Sequence, residues 1–135
     1  MKPLTIVADD KVGLLADISY ILGKAKINID SLSVDVVGGK AIISLLLSEP
    51  ERGKSVLEAA GYNVTELSSL VLKLPDKPGE LSKVTSILAK EGINIQNVHM
   101  LTRDGKTTVI SMIVDKPKRA ITLLKDYTIN KEEVY

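Results

Sequence analysis

DKVGLLADISYILGKAKINI, residues 10–29, returns as DKPGELSKVTSILAKEGINI, residues 76–95. Aligned without gaps, ten of the twenty positions are identical, and others keep their character, as Ile18 does in Val84. The chain is therefore two copies of one module, 66 residues apart. The expected division is 1–68 for the first module and 69–135 for the second.

The residues around these stretches give the order of elements. Leu4 to Ala8 is a short β-branched run stopped by Asp9-Asp10, a strand followed by a turn. Apolar residues then fall at 14, 15, 18, 21, 22 and 25, the spacing of one helix face. Asn28 to Val37 partly alternates, Gly38-Gly39 signals a hairpin, and Ala41 to Leu47 is a buried strand. Pro50 opens a second helix through Ala60, Gly61 ends it, and Tyr62 to Leu67 is a further strand. The second copy repeats the order. Strands are expected at Leu70 to Leu74, Asn94 to Arg103 and Thr108 to Val114, and helices at Gly79 to Glu91 and Lys116 to Lys125. A short last strand is expected at Tyr127 to Ile129. Each half reads β-α-β-β-α-β, so the fold class is α+β: two tandem ferredoxin-like modules, each an antiparallel four-stranded sheet with two helices on one face.

Composition narrows the function classes. Lys plus Arg is 18 against 17 for Asp plus Glu, a net charge of +1, which gives no electrostatic footprint for nucleic acid or an anionic membrane. No Cys is present, which excludes disulfides and thiolate metal sites. MKPLTIVADD meets acidic residues before a signal-peptide core develops, and no apolar run nears about 20 residues, so a cytoplasmic protein is expected. Phe and Trp are absent, so the cores must be aliphatic. His99 is the single histidine, with Ser33 at its place in the first copy, and is expected to face solvent. No nucleophile with a base, phosphate-binding glycine loop or metal-spaced acid cluster stands out, so neither an enzyme nor a cofactor is expected.

The candidate site is the turn after the first strand, DDKVGLL at 9–15 and PDKPGEL at 75–81. Gly13 and Gly79 permit a tight strand-to-helix turn and close approach of a ligand to the main chain. The first amides of the helix lack internal partners and can hold a carboxylate. Asp10 and Asp76, three residues earlier, are placed to receive an ammonium group. The same residues also serve as an ordinary turn glycine and helix cap. Ile-Asn-Ile at 27–29 and 93–95 marks the start of the second strand, with isoleucines in the core and an Asn that tolerates unusual backbone angles. Topology separates these motifs. The Gly turn ends the first strand and the Asn begins the second, which runs parallel to it, so they lie at opposite ends of one sheet. Only if the second-strand edges of two modules pair antiparallel does the Asn of one come level with the Gly turn of the other. A site using both is an interface site.

At these residues the chain resembles the ACT-domain family. D-x-P-G-x-L, a helix, then G-I-N-I in the second copy is close to that family's pattern. The first copy keeps Asp10, Gly13, Leu15 and Ile27-Asn28-Ile29, with Val12 where Pro78 stands. The resemblance implies a regulatory module that binds amino acids or other small metabolites between paired modules. It implies that main-chain groups at Gly13 and Leu14, or Gly79 and Glu80, hold the ligand's polar head beside Val12 or Pro78. Asp10 or Asp76 contributes from the same turn, and Asn28-Ile29 or Asn94-Ile95 from across the interface. Some amino-acid-binding members carry a polar residue five positions before the Gly, where this chain has Ala8 and Leu74, so ligand identity does not transfer.

Only Ser68-Ser69 separates Leu67 from Leu70, a reach of about 7 to 10 Å. Joining complete modules of one chain through their second-strand edges spans about six strand spacings, roughly 29 Å. Either the modules exchange strands near residues 62–74, or the pairing is between chains; both favour a homodimer or higher homo-oligomer. The expected function is a stand-alone, non-catalytic sensor of a small metabolite, an amino acid first. The alternative is a regulatory or docking subunit of an amino-acid biosynthetic enzyme of the acetolactate-synthase type. RNA binding would need stacking aromatics that AIISLLL and TVISMIV lack. An acylphosphatase-like loop would need an Arg that the turns lack.

Overall fold

Both repeats fold in the order their patterning dictates, in a computed structural model that describes residues 3–65 and 69–129. The chain divides into two units, Met1–Leu67 and Ser68–Tyr135. The first runs β1 (Leu4–Asp9), α1 (Leu14–Lys24), β2 (Ile29–Val37), β3 (Lys40–Leu47), α2 (Pro50–Ala59) and β4 (Asn63–Val64). The second runs β5 (Leu70–Pro75), α3 (Glu80–Lys90), β6 (Ile95–Arg103), β7 (Thr107–Val114) and α4 (Pro117–Leu123). Among the described residues no helix is long and apolar enough to cross a membrane.

The first sheet has the order β2-β3-β1-β4, with β3 antiparallel to both neighbours. Alternate strand residues (Leu4 and Ile6; Ala41, Ile43, Leu45 and Leu47) meet Leu14, Ile18 and Leu22 of α1 and Leu57 of α2 in one core. The second sheet repeats this with Leu70, Leu72 and Leu74, Ile110, Met112 and Val114 against Val84, Leu88, Ala120 and Leu124. Each such side chain contributes about 1.5–3 kcal/mol by leaving water. Each unit is thus a sheet with two helices on one face, as expected.

Three details differ from the sequence reading. The second sheet has the order β5-β7-β6, three strands rather than four. Its fourth position is one antiparallel bridge, Leu72 to Thr128, flanked by Lys73 N–H donating to Tyr127 O at 2.8 Å and Ile129 N–H to Val71 O at 2.8 Å. β4 is likewise short, because only Ile6↔Val64 and Val7↔Asn63 pair in it; residues 66 and 67 of the expected strand lie outside the described residues. No strand is exchanged, since β4 pairs with β1 and β5 with β7, each within its own repeat. Leu15, expected on the buried helix face, is 40% exposed, and its counterpart Leu81 is 46% exposed. Both sit in the first turn of their helix, outside the row of Leu14, Ile18 and Leu22 or of Val84 and Leu88 that fills the core.

The loops before β2 and β6 are pinned. Arg52 of α2 donates through Nη2 to the Ala25 carbonyl, and Lys116 Nζ donates to the Gly92 carbonyl at 2.9 Å, so each second helix caps the end of the first. The left-handed residue of this loop is Lys26 (φ 61) in one repeat and Gly92 (φ 69) in the other, not the neighbouring Asn. A non-glycine residue there costs about 1 kcal/mol. Lys26→Gly is therefore expected to raise stability by about 0.5–1 kcal/mol in urea unfolding; a loss would show that the lysine makes a compensating contact.

Tyr62, before β4, packs on the first core and donates its hydroxyl to the Asp17 carboxylate. Burial first, then this carboxylate, pushes the phenol up from its ordinary value near 10 to about 12. Because the folded value is raised, the stability linked to it is complete below pH 10 and is lost as pH rises towards 12. Absorbance titration should show a late-ionising tyrosine, lost in Tyr62→Phe and brought earlier in Asp17→Asn. An unchanged late phase in Tyr62→Phe would refute the assignment.

Candidate functional site

The two strand-to-helix turns have the same backbone. Gly13 and Gly79 are the N-terminal caps of α1 and α3, both with φ 89, a left-handed conformation in which a side chain is strained. Neither cap offers a side-chain hydrogen bond. Leu14 N–H reaches Lys11 O at 3.3 Å and Glu80 N–H reaches Lys77 O at 3.3 Å, while the helical ladders begin with Asp17 N–H to Gly13 O and Lys83 N–H to Gly79 O. Among the described residues the amides of Leu15 and Ala16, and of Leu81 and Ser82, have no backbone acceptor. Both helices therefore present unpaired donors and the positive end of their dipole.

The carboxylates of the two turns are used differently. Lys40 occupies Asp9 at 2.6 Å, and this hydrogen bond, more than the charge alone, holds the Asp9 carboxyl below its ordinary value. Asp10 fixes its backbone by donating to Gly39 O at 3.0 Å, and its exposed side chain has no partner among the described residues. Asp76 fixes its backbone in the same way on Lys106 O at 2.9 Å. Its carboxylate, however, accepts two hydrogen bonds from Arg103, from Nε at 3.2 Å and Nη2 at 3.1 Å. By register Arg103, opposite Thr108, stands where the first repeat has the exposed Val36 opposite Ala41. Asp10 is open to a cation, and Asp76 already holds one.

A cleft of about 290 Å³ opens beside the first turn, lined by Asp10, Lys11 and Leu15 with Val34, Ala41 and Ile43 at its apolar end. Val12, between them in sequence, is fully exposed, and Pro78 and Gly79 of the other turn are exposed. Leu14 is in the core and Glu80 forms a 3.4 Å ion pair with Lys83. Lys11 and Leu15 belong to the turn that the sequence singled out but were given no role there, and Ala16, Val34, Ala41 and Ile43 were not expected here. Their only sequence signal was the alternation of Leu32, Val34 and Val36.

The asparagines lie at the far end of each sheet. Ile29 pairs with Leu47, whereas Asp9 pairs with Lys40 at the other end of β3. Asn28 N–H donates to Ser48 Oγ at 3.0 Å and its carbonyl accepts from Ser48 N–H at 3.0 Å. Asn94 is bound the same way by Asp115, at 3.0 and 3.1 Å. Asn28 also donates its side-chain amide to Asp30 at 2.6 Å. In both repeats the ladder slips immediately afterwards, between Ile29 and Ser31 and between Ile95 and Asn97. Ile29 and Ile95 are half-buried against the cores. Within one unit the Gly turn and the Asn are therefore not brought together.

Residues 4–61 and 68–126 each match the ACT domain. The chain belongs to the ACT-domain family. No curated protein matches it in sequence. Among solved structures, a protein of Bacteroides thetaiotaomicron is similar at 22% identity and a TM-score of 0.50, with 99% of this chain and 94% of that one covered. The ligand-free regulatory subunit of aspartate kinase from Thermus thermophilus matches at 12% identity and a TM-score of 0.44, covering 92% and 90%. The small subunit of acetolactate synthase from Thermotoga maritima matches at 14% and 0.41, covering 94% and 88%. At such identities the likeness is one of fold. The two ACT modules of this chain share one backbone at the strand-to-helix turn and carry different sets of charges there.

Proposed function

We propose that this tandem ACT protein is a non-catalytic regulator that binds a free amino acid at the turn of its first module. The observation that carries the reading is the unpartnered Asp10 carboxylate beside the uncapped start of α1, with the apolar cleft between them. An amino acid carries the complementary groups. Its ammonium meets Asp10, its carboxylate meets the free amides of Leu15 and Ala16 and the Lys11 ammonium, and an aliphatic side chain lies against Val34 and Ile43. Asp76 is held by Arg103, so the second module is not the primary receptor.

The site is completed by a second chain. β2 and β6 are sheet edges, and each carries exposed apolar residues on its helix-side face: Leu32, Val34 and Val36 in one, Val98 and Met100 in the other. An edge of this kind is a template for another strand. Antiparallel pairing of such edges from two chains covers the apolar row and brings an Asn to the mouth of the cleft. Of the two arrangements the sequence allows, pairing between chains is favoured by β4 and β5 each pairing within its own repeat. The same edges would serve a docking subunit of a biosynthetic enzyme, the alternative reading.

The test is thermal unfolding of the full chain against the twenty amino acids. A ligand at about 100 times its Kd adds about 2.7 kcal/mol, a rise of several degrees. Asp10→Ala is expected to remove the rise and Asp76→Ala to leave most of it. No response to any amino acid, or a response lost only in Asp76→Ala, would count against this reading.

A further inference from the structure

The two modules also differ along the other side of their first helix. In the first, Tyr62 is tied to Asp17 of α1, and Tyr20 one turn on carries the Lys24 ammonium 5.9 Å from its ring centre. On that face Asp17 and Lys24 each have an aromatic partner. In the second, the repeat places Lys83 where Asp17 stood, Ser86 where Tyr20 stood and Lys90 where Lys24 stood; Tyr127 joins them from the segment after α4, at the strand position that Asn63 holds in the first module. A carboxylate acceptor has become an ammonium, and a ring has become a hydroxyl.

The result is a cleft of about 380 Å³ along α3, lined beside Gly79 by Ser82, Lys83, Ser86, Ile87, Lys90 and Tyr127. Its polar side chains are two ammoniums and three hydroxyls, and it has no carboxylate in its lining. Among the described residues Glu80, 3.4 Å from Lys83 Nζ, is the acidic group that pairs with this set. Among the described residues the Tyr127 hydroxyl and Lys90 ammonium have no hydrogen-bond or ion-pair partner. Ser82 and Ser86 are one helical turn apart, and Lys90 one turn further, so the donors form a single stripe. Lys83 and Lys90 are separated by about 10 Å of helix, a span bridged by two long side chains converging on one small ligand.

From this the geometry points to a binding site for a small phosphorylated metabolite in the second module. The phosphate takes hydrogen bonds from Lys83, Ser86 and Tyr127, Lys90 supplies the second charge, and Ile87 underlies the ester portion. A phosphate monoester carries a charge of about −1.5 to −2 over three oxygens, which matches two ammoniums and neighbouring hydroxyls better than a singly charged carboxylate does. The cleft meets the second turn only at Gly79 and otherwise follows the α3 face next to Tyr127; neither Asp10 nor Asp76 is in its lining.

The test is a titration of the isotope-labelled full chain with inorganic phosphate and pyrophosphate at constant ionic strength, followed by amide NMR, with chloride as the control. Saturable shifts confined to residues 79–90 and 127 are expected, with pyrophosphate binding more tightly. Lys83→Asp and Ser86→Tyr each install the residue the first module already tolerates, so both should fold. Each should weaken binding at least about tenfold, and Asp10→Ala should leave it unchanged. Shifts that do not saturate, that chloride reproduces, or that survive both α3 substitutions would overturn the site, as would their loss in Asp10→Ala.

Discussion

Gly53→Ala is expected to destabilise the first module by about 1–3 kcal/mol, and Leu47→Val in the same chain to recover most of that loss. Gly53 is a buried residue in the middle of α2. A Cβ built on it would stand 2.4 Å from Leu47 Cδ1, well inside contact, with Leu22 Cδ2 next at 3.8 Å. Leu47 is itself 1% exposed, so its side chain has little room to turn away. The second module shows the other solution to the same packing problem. There Ala120 stands for Gly53 and Val114 for Leu47, so a methyl gained on the helix is matched by one lost from the strand. Leu47→Val alone should cost about 1–2 kcal/mol through the small void it leaves. In the double variant the void is filled, and replacing Gly in a helix contributes about 1 kcal/mol of its own. Urea unfolding of the four proteins gives the coupling. Strict additivity, with the double variant at the sum of the single losses, would show that the two positions do not compete for space.

Val34→Glu is expected to leave the fold intact and to weaken self-association at least about a hundredfold. Val34 is 42% exposed in the middle of β2, so the substitution removes little from the core and its cost to the monomer should be within about 0.5 kcal/mol. Placed under a pairing strand, the new carboxylate would lose water without gaining a partner, a penalty of several kcal/mol. Met100→Glu makes the same test on β6, at the register position opposite Ile110. Sedimentation at micromolar concentration reads the result. A wild-type chain that is monomeric there, or a Val34→Glu chain that associates as before, would remove the edge-pairing part of the proposal. Amino-acid binding by a monomeric variant would show that the first turn needs no second chain.

The architecture was readable because it rests on short-range patterns, and those patterns occur twice. A helical row such as Leu14, Ile18 and Leu22 dictates its own buried face, and Gly38-Gly39, with φ 59 and 73, dictates the two-residue hairpin between β2 and β3. The last strand was less readable because it is held by few bonds; one bridge at Thr128 leaves little mark on composition. At the turns, spacing alone located both glycines. It did not show that Asp76 is occupied, because Arg103 approaches from 27 residues away across the end of the sheet. Asn28 looked like a loop residue chosen for its backbone freedom, but Lys26 takes the left-handed angle and the Asn is tied into the sheet by Ser48. Nor does alternation say whether a strand's apolar side is covered. Leu32 and Leu45 face each other on the same surface, yet the first is 46% exposed and the second buried, since only the inner strand lies beneath a helix.

The Arg103–Asp76 pair has a consequence for counting. A guanidinium on the same chain, two hydrogen bonds deep, behaves as a tethered ligand whose effective concentration is set by the sheet, on the millimolar scale or above. A free ammonium has to displace it, whereas at Asp10 it has only water to displace. Duplication gave the chain two turns alike in backbone, one of them with its carboxylate already taken, so under the proposed function calorimetry should find one amino acid bound per chain, not two.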